Sequence, residues 1–318
     1  MKTLVTGAAG FLGSHLVEAL LGCGAGVVAF DHRLCGKCLG EALLARTHAV
    51  EADIFDVAAV ERAAEGVAAI FHCAAMVGVS AYAREPARTT ETEEVGLRNV
   101  CSAALAQISK PIVVFASSSA VYGQVGGAQG LAESIEVAPT SNYGIAKRRA
   151  ELFLAAQHAE FGLRSAAVRI FNIYGPRQDE RLVLPRFIRR ALANDPLEIY
   201  GEGEQTRDFV YVGDVVGAML ACANTIKGCE IVNACSGEET SVLSLARMVI
   251  ALTGSCSEIV HKPPPAMRSA FEVARSFGSR AKLERLLGKL PRTPLRDGLQ
   301  RTIEAARAEP AAAVRVNS

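Results

Sequence analysis

The stretch PTSNYGIAKRRAE (residues 139–151) places Tyr143 four residues before Lys147. Pro139, Thr140, Ser141 and Asn142 are turn and cap residues. Ile145, Ala146, Ala150, Leu152 and Phe153 follow at helical spacing, which predicts a helix over Tyr143–Phe161. Positions i and i+4 share a helix face, so phenol and ammonium point the same way near the helix N-terminus. Two readings fit this pair. In the first, the tyrosine ring packs and the lysine covers it. In the second, the cation favours the phenolate, lowering a pKa that starts at about 10, and the helix N-terminus pushes the same way. The phenol is then a general base.

Other motifs decide between them. TGAAGFLG (Thr6–Gly13) sets Gly7, Gly10 and Gly13 between a predicted strand and a predicted helix. Glycines there permit a tight turn and the close approach of a pyrophosphate, which the helix N-terminus stabilises. Asp31 ends the second predicted strand, where a carboxylate can accept from an adenosine ribose and repel a 2′-phosphate. That favours NAD over NADP, a preference that Arg33 weakens slightly. Asp53, in ADIFD, follows the third strand and could equally cap the next helix. FHCAA (Phe71–Ala75) ends the fourth strand with small residues, and ASSSAVYG (Ala116–Gly123) ends the fifth with hydroxyls. In open parallel sheets these strand ends face the ligand crevice. The glycine turn and Asp31 together favour a dinucleotide site over a structural loop, whereas ADIFD, FHCAA and ASSSAVYG, taken singly, read at least as well as turn or cap chemistry.

The elements that must position these residues alternate. Strands are predicted at Lys2–Thr6, Gly26–Phe30, Ala49–Ala52, Ala69–His72, Ile112–Ala116 and Ala166–Ile170. Helices are predicted at Phe11–Leu21, Val57–Ala64, Val95–Gln107 and Tyr143–Phe161. This rhythm argues for a parallel sheet covered on both faces. After Tyr174 it breaks into a loop-rich insertion containing a helix over Leu184–Ala193. Val210–Ala223 reads as a strand edge and helix returning to the sheet, and Ile231–Ala234 as one more strand. Two helical patterns then flank Pro263-Pro264-Pro265, and Glu309–Ser318 reads as a frayed tail.

The 318 residues are half hydrophobic with a net charge of +1, which implies no broad attraction to nucleic acid or a membrane surface. No membrane span or signal peptide is expected, and a cytoplasmic location is. Nine scattered cysteines read as reduced packing residues. Cys35-Gly-Lys-Cys38 is a single CxxC without a second, so no metal site is expected.

In order, TGxxGxxG, the acid after strand two, DI after strand three, HxAA, SSSAVYG and YxxxK resemble the extended short-chain dehydrogenase/reductases. RIFNIYGPRQ (Arg169–Gln178), LVLPRFI (Leu182–Ile188), IYGEGEQTRDFVYVGD (Ile199–Asp214) and LPRTPLRDGL (Leu290–Leu299) narrow this to nucleotide-sugar epimerases and dehydratases. The resemblance implies an α/β fold: a Rossmann-type doubly wound parallel sheet with a smaller, discontinuous α/β substrate domain. The division expected is 1–175 plus 209–236 for NAD, and 176–208 plus 237–318 for the nucleotide-sugar. It implies Ser118, Tyr143 and Lys147 as catalytic residues. The cofactor site would comprise Gly7, Gly10, Phe11, Leu12, Gly13, Asp31, Asp53, Ile54, Cys73, Ala74 and Ala75, with Tyr143 and Lys147. The substrate site would comprise Ser118, Ser119, Asn172, Leu184, Tyr200, Arg207 and Arg268. A surface ion pair with Asp208 is the competing role for Arg207. A homodimer paired through Val95–Gln107 and Tyr143–Phe161 is also implied.

Family dehydratases carry acids just after the residue matching Ser118, and family uronate decarboxylases tend to carry a glutamate in this motif. Here Ser119 and Ala120 stand instead, which favours 4-epimerisation of a nucleotide-sugar, with UDP-hexose the expected substrate. A dehydratase, a keto-sugar reductase and a non-catalytic nucleotide-binding protein are the alternatives. Three departures bear on the substrate. Glu93 stands where the family often has asparagine, Phe277 where it has aspartate, and MVGVS follows HCAA. Ala274 lies near a pocket-gating position, where a small residue could admit an N-acetyl group.

Overall fold

Alternate residues of the central strands face opposite sides. Val5 of β1 (Lys2–Thr6) enters one apolar cluster and Leu4 the other; in β2 (Gly26–Asp31), Val27 and Ala29 oppose Val28 and Phe30. A strand buried on both faces reads as a continuous apolar run and needs cover on both. The computed structural model describes residues 1–34, 38–75, 86–124, 130–263 and 273–308. β3 (His48–Glu51), β4 (Ala69–His72), β5 (Ile112–Ser118), β6 (Ser165–Ile170) and β11 (Cys229–Ala234) join β1 and β2 in one parallel sheet. Its order, β11-β6-β5-β4-β1-β2-β3, is that of a doubly wound Rossmann-type fold. The order reverses between β1 and β4, so their C-terminal ends open the crevice.

One face is covered by α1 (Phe11–Gly22), with α2 (Glu41–Leu44) at its edge. The other carries α3 (Val57–Ala64), α4 (Pro86–Ala106) and α5 (Asn142–Phe161), through Val60, Leu97, Val100 and Leu154. Smaller elements follow: β7 (Asn172–Tyr174), α6 (Val183–Leu192), β8 (Leu197–Tyr200), β9 (Thr206–Arg207), β10 (Phe209–Tyr211) and α7 (Val212–Thr225). After β11 come β12 (Thr240–Ser241), α8 (Val242–Thr253), β13 (Ile259–Lys262), β14 (Arg275–Ser276), α9 (Ala281–Leu287) and α10 (Leu295–Ala308). α7 returns to the α1 side of the sheet through Val215, Met219 and Cys222. A third apolar cluster, with Phe187, Leu197, Leu245 and Leu299, joins α6, α8, α10 and β8.

Three expectations shift. α4 begins at Pro86, nine residues before Val95, because its inward positions include the fully buried polar Thr89 and Glu93. A hydropathy pattern cannot register them. The insertion after Tyr174 holds strands of two to four residues, too short to show a period. Finally, β10 pairs with β7 in a separate two-stranded sheet, so Val210 does not return to the main one. Cys35, MVGVS, Pro264, Pro265, Arg268 and the Glu309–Ser318 tail lie outside the described residues.

Candidate active site

The glycine loop after β1 is built for a close approach. Gly7 has φ +69°, and a Cβ there would meet the Ala74 nitrogen and the Cys73 carbonyl carbon at 2.7 Å. A Cβ on Gly13 would lie 2.0 Å from the Gly7 oxygen, and one on Gly10 3.2 Å from it. Side chains at 7 and 13 would therefore push the loop off the end of β4 and off α1, which only glycine lets it approach so closely, and the tight turn leaves the α1 N-terminus open to a pyrophosphate. Phe11 and Leu12, half-buried, open α1 directly behind this loop. Asp31 at the end of β2 is 8% exposed and accepts from Ala9 N (2.9 Å) and Arg33 N (3.2 Å). Its carboxylate is thus fixed beside the loop, where a ribose diol would sit. These residues fit a dinucleotide.

β4 ends at the same crevice. Cys73 N donates to Thr6 O at 3.1 Å and Ala74 N to Thr6 Oγ1 at 3.4 Å, so Cys73 and Ala74 run against the glycine loop, with the half-buried Ala75 next in the chain. His72 is fully buried, its Nδ1 2.7 Å from Thr6 Oγ1. Burial, aided by the Lys147 charge, pushes its pKa down to about 3. Asp53 is exposed and holds Phe55 N at 3.1 Å; the helix cap is Asp56, accepting from Ala59 N at 3.0 Å. Ile54 is a core residue whose carbonyl accepts from Asn99 at 3.0 Å.

Ser141 caps α5 by accepting from Gly144 N at 3.0 Å, and Gly162 ends the helix in the left-handed conformation. The first turn therefore starts where Tyr143 can face the sheet edge. The Ala120 carbonyl presses on Gly144, where a Cβ would come within 2.4 Å. This contact locks α5 to the 3-10 turn Ser119–Tyr122 that follows Ser118. The Ser118 hydroxyl accepts from Ala120 N at 3.1 Å. Lys147, 2% exposed, donates to Ala116 O at 2.9 Å, two residues before Ser118. Its Nζ lies 4.6 Å from the Phe115 ring centroid and 5.7 Å from that of Tyr143. Ser118, Tyr143 and Lys147 are thus brought to one strand edge beside the end of β4.

Lys147 has a partner that sequence reasoning did not assign. Both Glu93 carboxylate oxygens lie 2.8 Å from Nζ, and Glu93 is fully buried. Burial lifts the Glu93 carboxyl above its ordinary range while Lys147 pulls it down. For Lys147, burial opposes the charge, but Glu93 and then Tyr143 outweigh it, and its pKa lies above the usual value. Contacts this short to both oxygens favour the ionised pair. One turn along α5, Glu151 takes Arg169 through two 2.9 Å bonds and Ser117 through one of 2.7 Å.

On the far side, Arg207 donates to Thr206 O and Val273 O, both at 2.7 Å. Asp208 is buried and accepts from Ser236 N and Oγ, Gly237 N and Gly278 N, tying β9 to the turn after β11. Asn172 is exposed and Tyr200 half-buried. The Leu184 side chain is 2% exposed in the third cluster, so it is core and does not line an open surface. Phe277 O accepts from Leu131 N at 2.8 Å, and Ala274 O from Thr206 N at 2.9 Å.

A model of the NAD dependent epimerase/dehydratase family matches residues 3–235. UDP-N-acetyl-alpha-D-glucosaminuronate decarboxylase of Bacillus cytotoxicus is 38% identical over 272 residues, 82% of this chain and 83% of its own. UDP-glucose 4-epimerase of Mycolicibacterium smegmatis is 32% identical over 313 residues, 96% and 98% of the two chains. The crystal structure of UDP-glucose 4-epimerase from Thermotoga maritima with UDP-glucose superposes with a TM-score of 0.89 at 34% identity, covering 96% of this chain and 99% of that one. With its glycine loop, fixed Asp31 and Ser118–Tyr143–Lys147 edge, this chain belongs to the NAD dependent epimerase/dehydratase family.

Proposed function

We propose that the protein is an NAD-dependent 4-epimerase of a nucleotide-sugar, with a UDP-hexose as substrate. The glycine loop, Asp31 and Lys147 would hold NAD, which would supply the hydride acceptor and donor for the sugar carbon. Tyr143 accepts the C4 hydroxyl proton, and Ser118 hydrogen-bonds the same oxygen. Lys147 holds a ribose hydroxyl of the cofactor with the N–H not used by Glu93 or Ala116. The glycine loop and Asp31 hold the pyrophosphate and adenosine ribose. Asn172 and Arg207 face the diphosphate of the substrate, Arg207 being suited to it by its planar fork. The keto-sugar turns in the site, and Tyr143 returns the proton as the alcohol of opposite configuration forms.

The observation that carries 4-epimerisation is the turn after Ser118. It reads Ser119-Ala120-Val121-Tyr122, with no carboxyl group. The neighbouring Glu93 is committed to Lys147. Elimination of water from C6 needs a second acid and base; oxidation and re-reduction at C4 need only Tyr143. The 38% identity to a UDP-sugar-uronate decarboxylase supports a second reading, in which the C4 ketone assists loss of the C6 carboxylate. Incubation with UDP-hexoses and UDP-uronates, followed by mass and proton NMR, separates them. Interconversion at constant mass supports epimerisation, and loss of carbon dioxide supports decarboxylation. Tyr143→Phe is expected to lower turnover about 10²–10⁴-fold; unchanged turnover removes Tyr143 from its role.

We assign residues 1–175 plus 209–236 to the cofactor and 176–208 plus 237–318 to the substrate. Leu152 and Phe161 on α5 are about half exposed, at 53% and 46%, which supports pairing of two copies through α4 and α5. A monomeric mass in light scattering overturns that pairing. A cytoplasmic location accords with this substrate class.

A further inference from the structure

Glu93 is a carboxylate with no solvent exposure and, among the described residues, one cationic neighbour in contact. Its Oε2 accepts from Lys147. Its Oε1 is equally near Nζ but has no bond of hydrogen-bonding geometry among the described residues. Lys147 Nζ in turn lies 5.7 Å from the centroid of the Tyr143 ring. Among the described residues, the other groups facing the pair carry no net charge to replace it. From β4 these are His72, held neutral with a pKa of about 3, and the Cys73 thiol, pushed up to about 12 by burial. From β5 they are the Phe115 ring and the Ala116 carbonyl. Further along α5, Glu151 is matched by Arg169 and Arg148, and Arg149 by Glu94 of α4.

We infer that Glu93 is a positioning residue of this site: its carboxylate fixes Lys147 and cancels much of the positive charge that Lys147 presents to Tyr143. Two consequences follow. The ammonium is oriented before any cofactor arrives, because two of its three donors are already engaged. The positive potential that reaches the Tyr143 phenol is weaker than it would be with an uncharged amide at position 93. A unit charge one side chain beyond Lys147, at an effective dielectric of ~20, moves a pKa by about one unit. The catalytic consequence rests on the proposed role of Tyr143 as proton acceptor; the electrostatic one does not.

The test is an ultraviolet difference titration of phenolate on the full chain without any sugar. Tyr143→Phe in each background isolates the Tyr143 step. Glu93→Gln is expected to lower that pKa by about one unit, a tenfold rise in phenolate at a given pH. Glu93→Asp, which keeps the charge, is expected to leave it within a few tenths. A Tyr143 step that stays put in Glu93→Gln overturns the inference. Should Glu93→Gln fail to fold, Glu93→Gln/Lys147→Met removes both charges together and leaves neither unpaired. Its Tyr143 step is expected well within one unit of wild type; a wild-type step far below that of the double variant overturns the inference. Turnover keeps the two ideas apart. If Tyr143→Phe retains full activity the proton-acceptor role fails, whatever the titration reports. If the role holds, the acid limb of the pH–rate profile moves down by the same unit in Glu93→Gln.

Discussion

Gly13→Ala probes the cofactor cradle with a single methyl group. The added Cβ would lie 2.0 Å from the Gly7 oxygen, 2.8 Å from its carbonyl carbon and 3.0 Å from the Ala8 Cα. Ordinary contact demands more than an ångström of separation beyond this. α1 cannot supply it, because Leu16, Val17 and Leu20 anchor it at 0%, 0% and 5% exposure. The loop must yield, and with it the 2.9 Å bond from Ala9 N to Asp31. Overpacking of this kind costs about 1–3 kcal/mol. The melting temperature should fall by about 1.5 °C per kcal/mol. NAD affinity should drop at least about tenfold, the equivalent of ~1.4 kcal/mol. Gly22→Ala at the other end of α1 is the control. A Cβ there meets nothing within 4 Å, and the better helix former should add up to about 1 kcal/mol. Calorimetric titration with NAD, alongside thermal melts, reads both effects. A Gly13→Ala protein that binds NAD like the wild type would refute the placement of the pyrophosphate on this loop.

Asp31→Asn keeps the shape but removes the charge that disfavours a 2′-phosphate, so the preference for NAD over NADP should shrink about tenfold (~1.4 kcal/mol) in titration. An unchanged ratio would show that another group sets it. Glu151→Gln leaves Arg169 buried without its carboxylate and should cost about 3–5 kcal/mol in urea unfolding, whereas Glu151→Gln/Arg169→Met should recover much of the loss. For His72 the folded pKa of about 3 lies below the unfolded value near 6.5. The unfolded chain therefore takes the proton first as pH falls. The stability from this group is complete above about pH 6.5 and declines below it, by ~2 kcal/mol at pH 5. Unfolding curves at the two pH values, with His72→Gln lacking this part of the slope, check it.

Much of the fold was legible because its central strands carry apolar runs bounded by glycine or polar turns. β1, β4 and α3 fall on the predicted residues, and Asp31 closes β2 as expected. The candidate site was legible where spacing alone sets geometry: Tyr143 and Lys147 one helical turn apart, and Gly7, Gly10 and Gly13 around one loop. What escaped was what depends on distant pairings. Glu93 stood out as an odd residue, but its contact with Lys147 spans 54 positions and no local pattern encodes it. Asp208 looked like a partner for Arg207, yet its four bonds run to Ser236, Gly237 and Gly278. Leu184 carried a motif position but turned inward, because α6 needs an apolar face against α8 and α10.

The most direct measurement follows the hydrogen at C4. A UDP-hexose deuterated at that carbon is incubated with the protein, and the product is read by NMR. Epimerisation through Tyr143 and a resident NAD predicts inversion at C4 with the deuterium retained there and no change in mass. Deuterium found at C6 or exchanged into water, or a product lacking the elements of water, would contradict it.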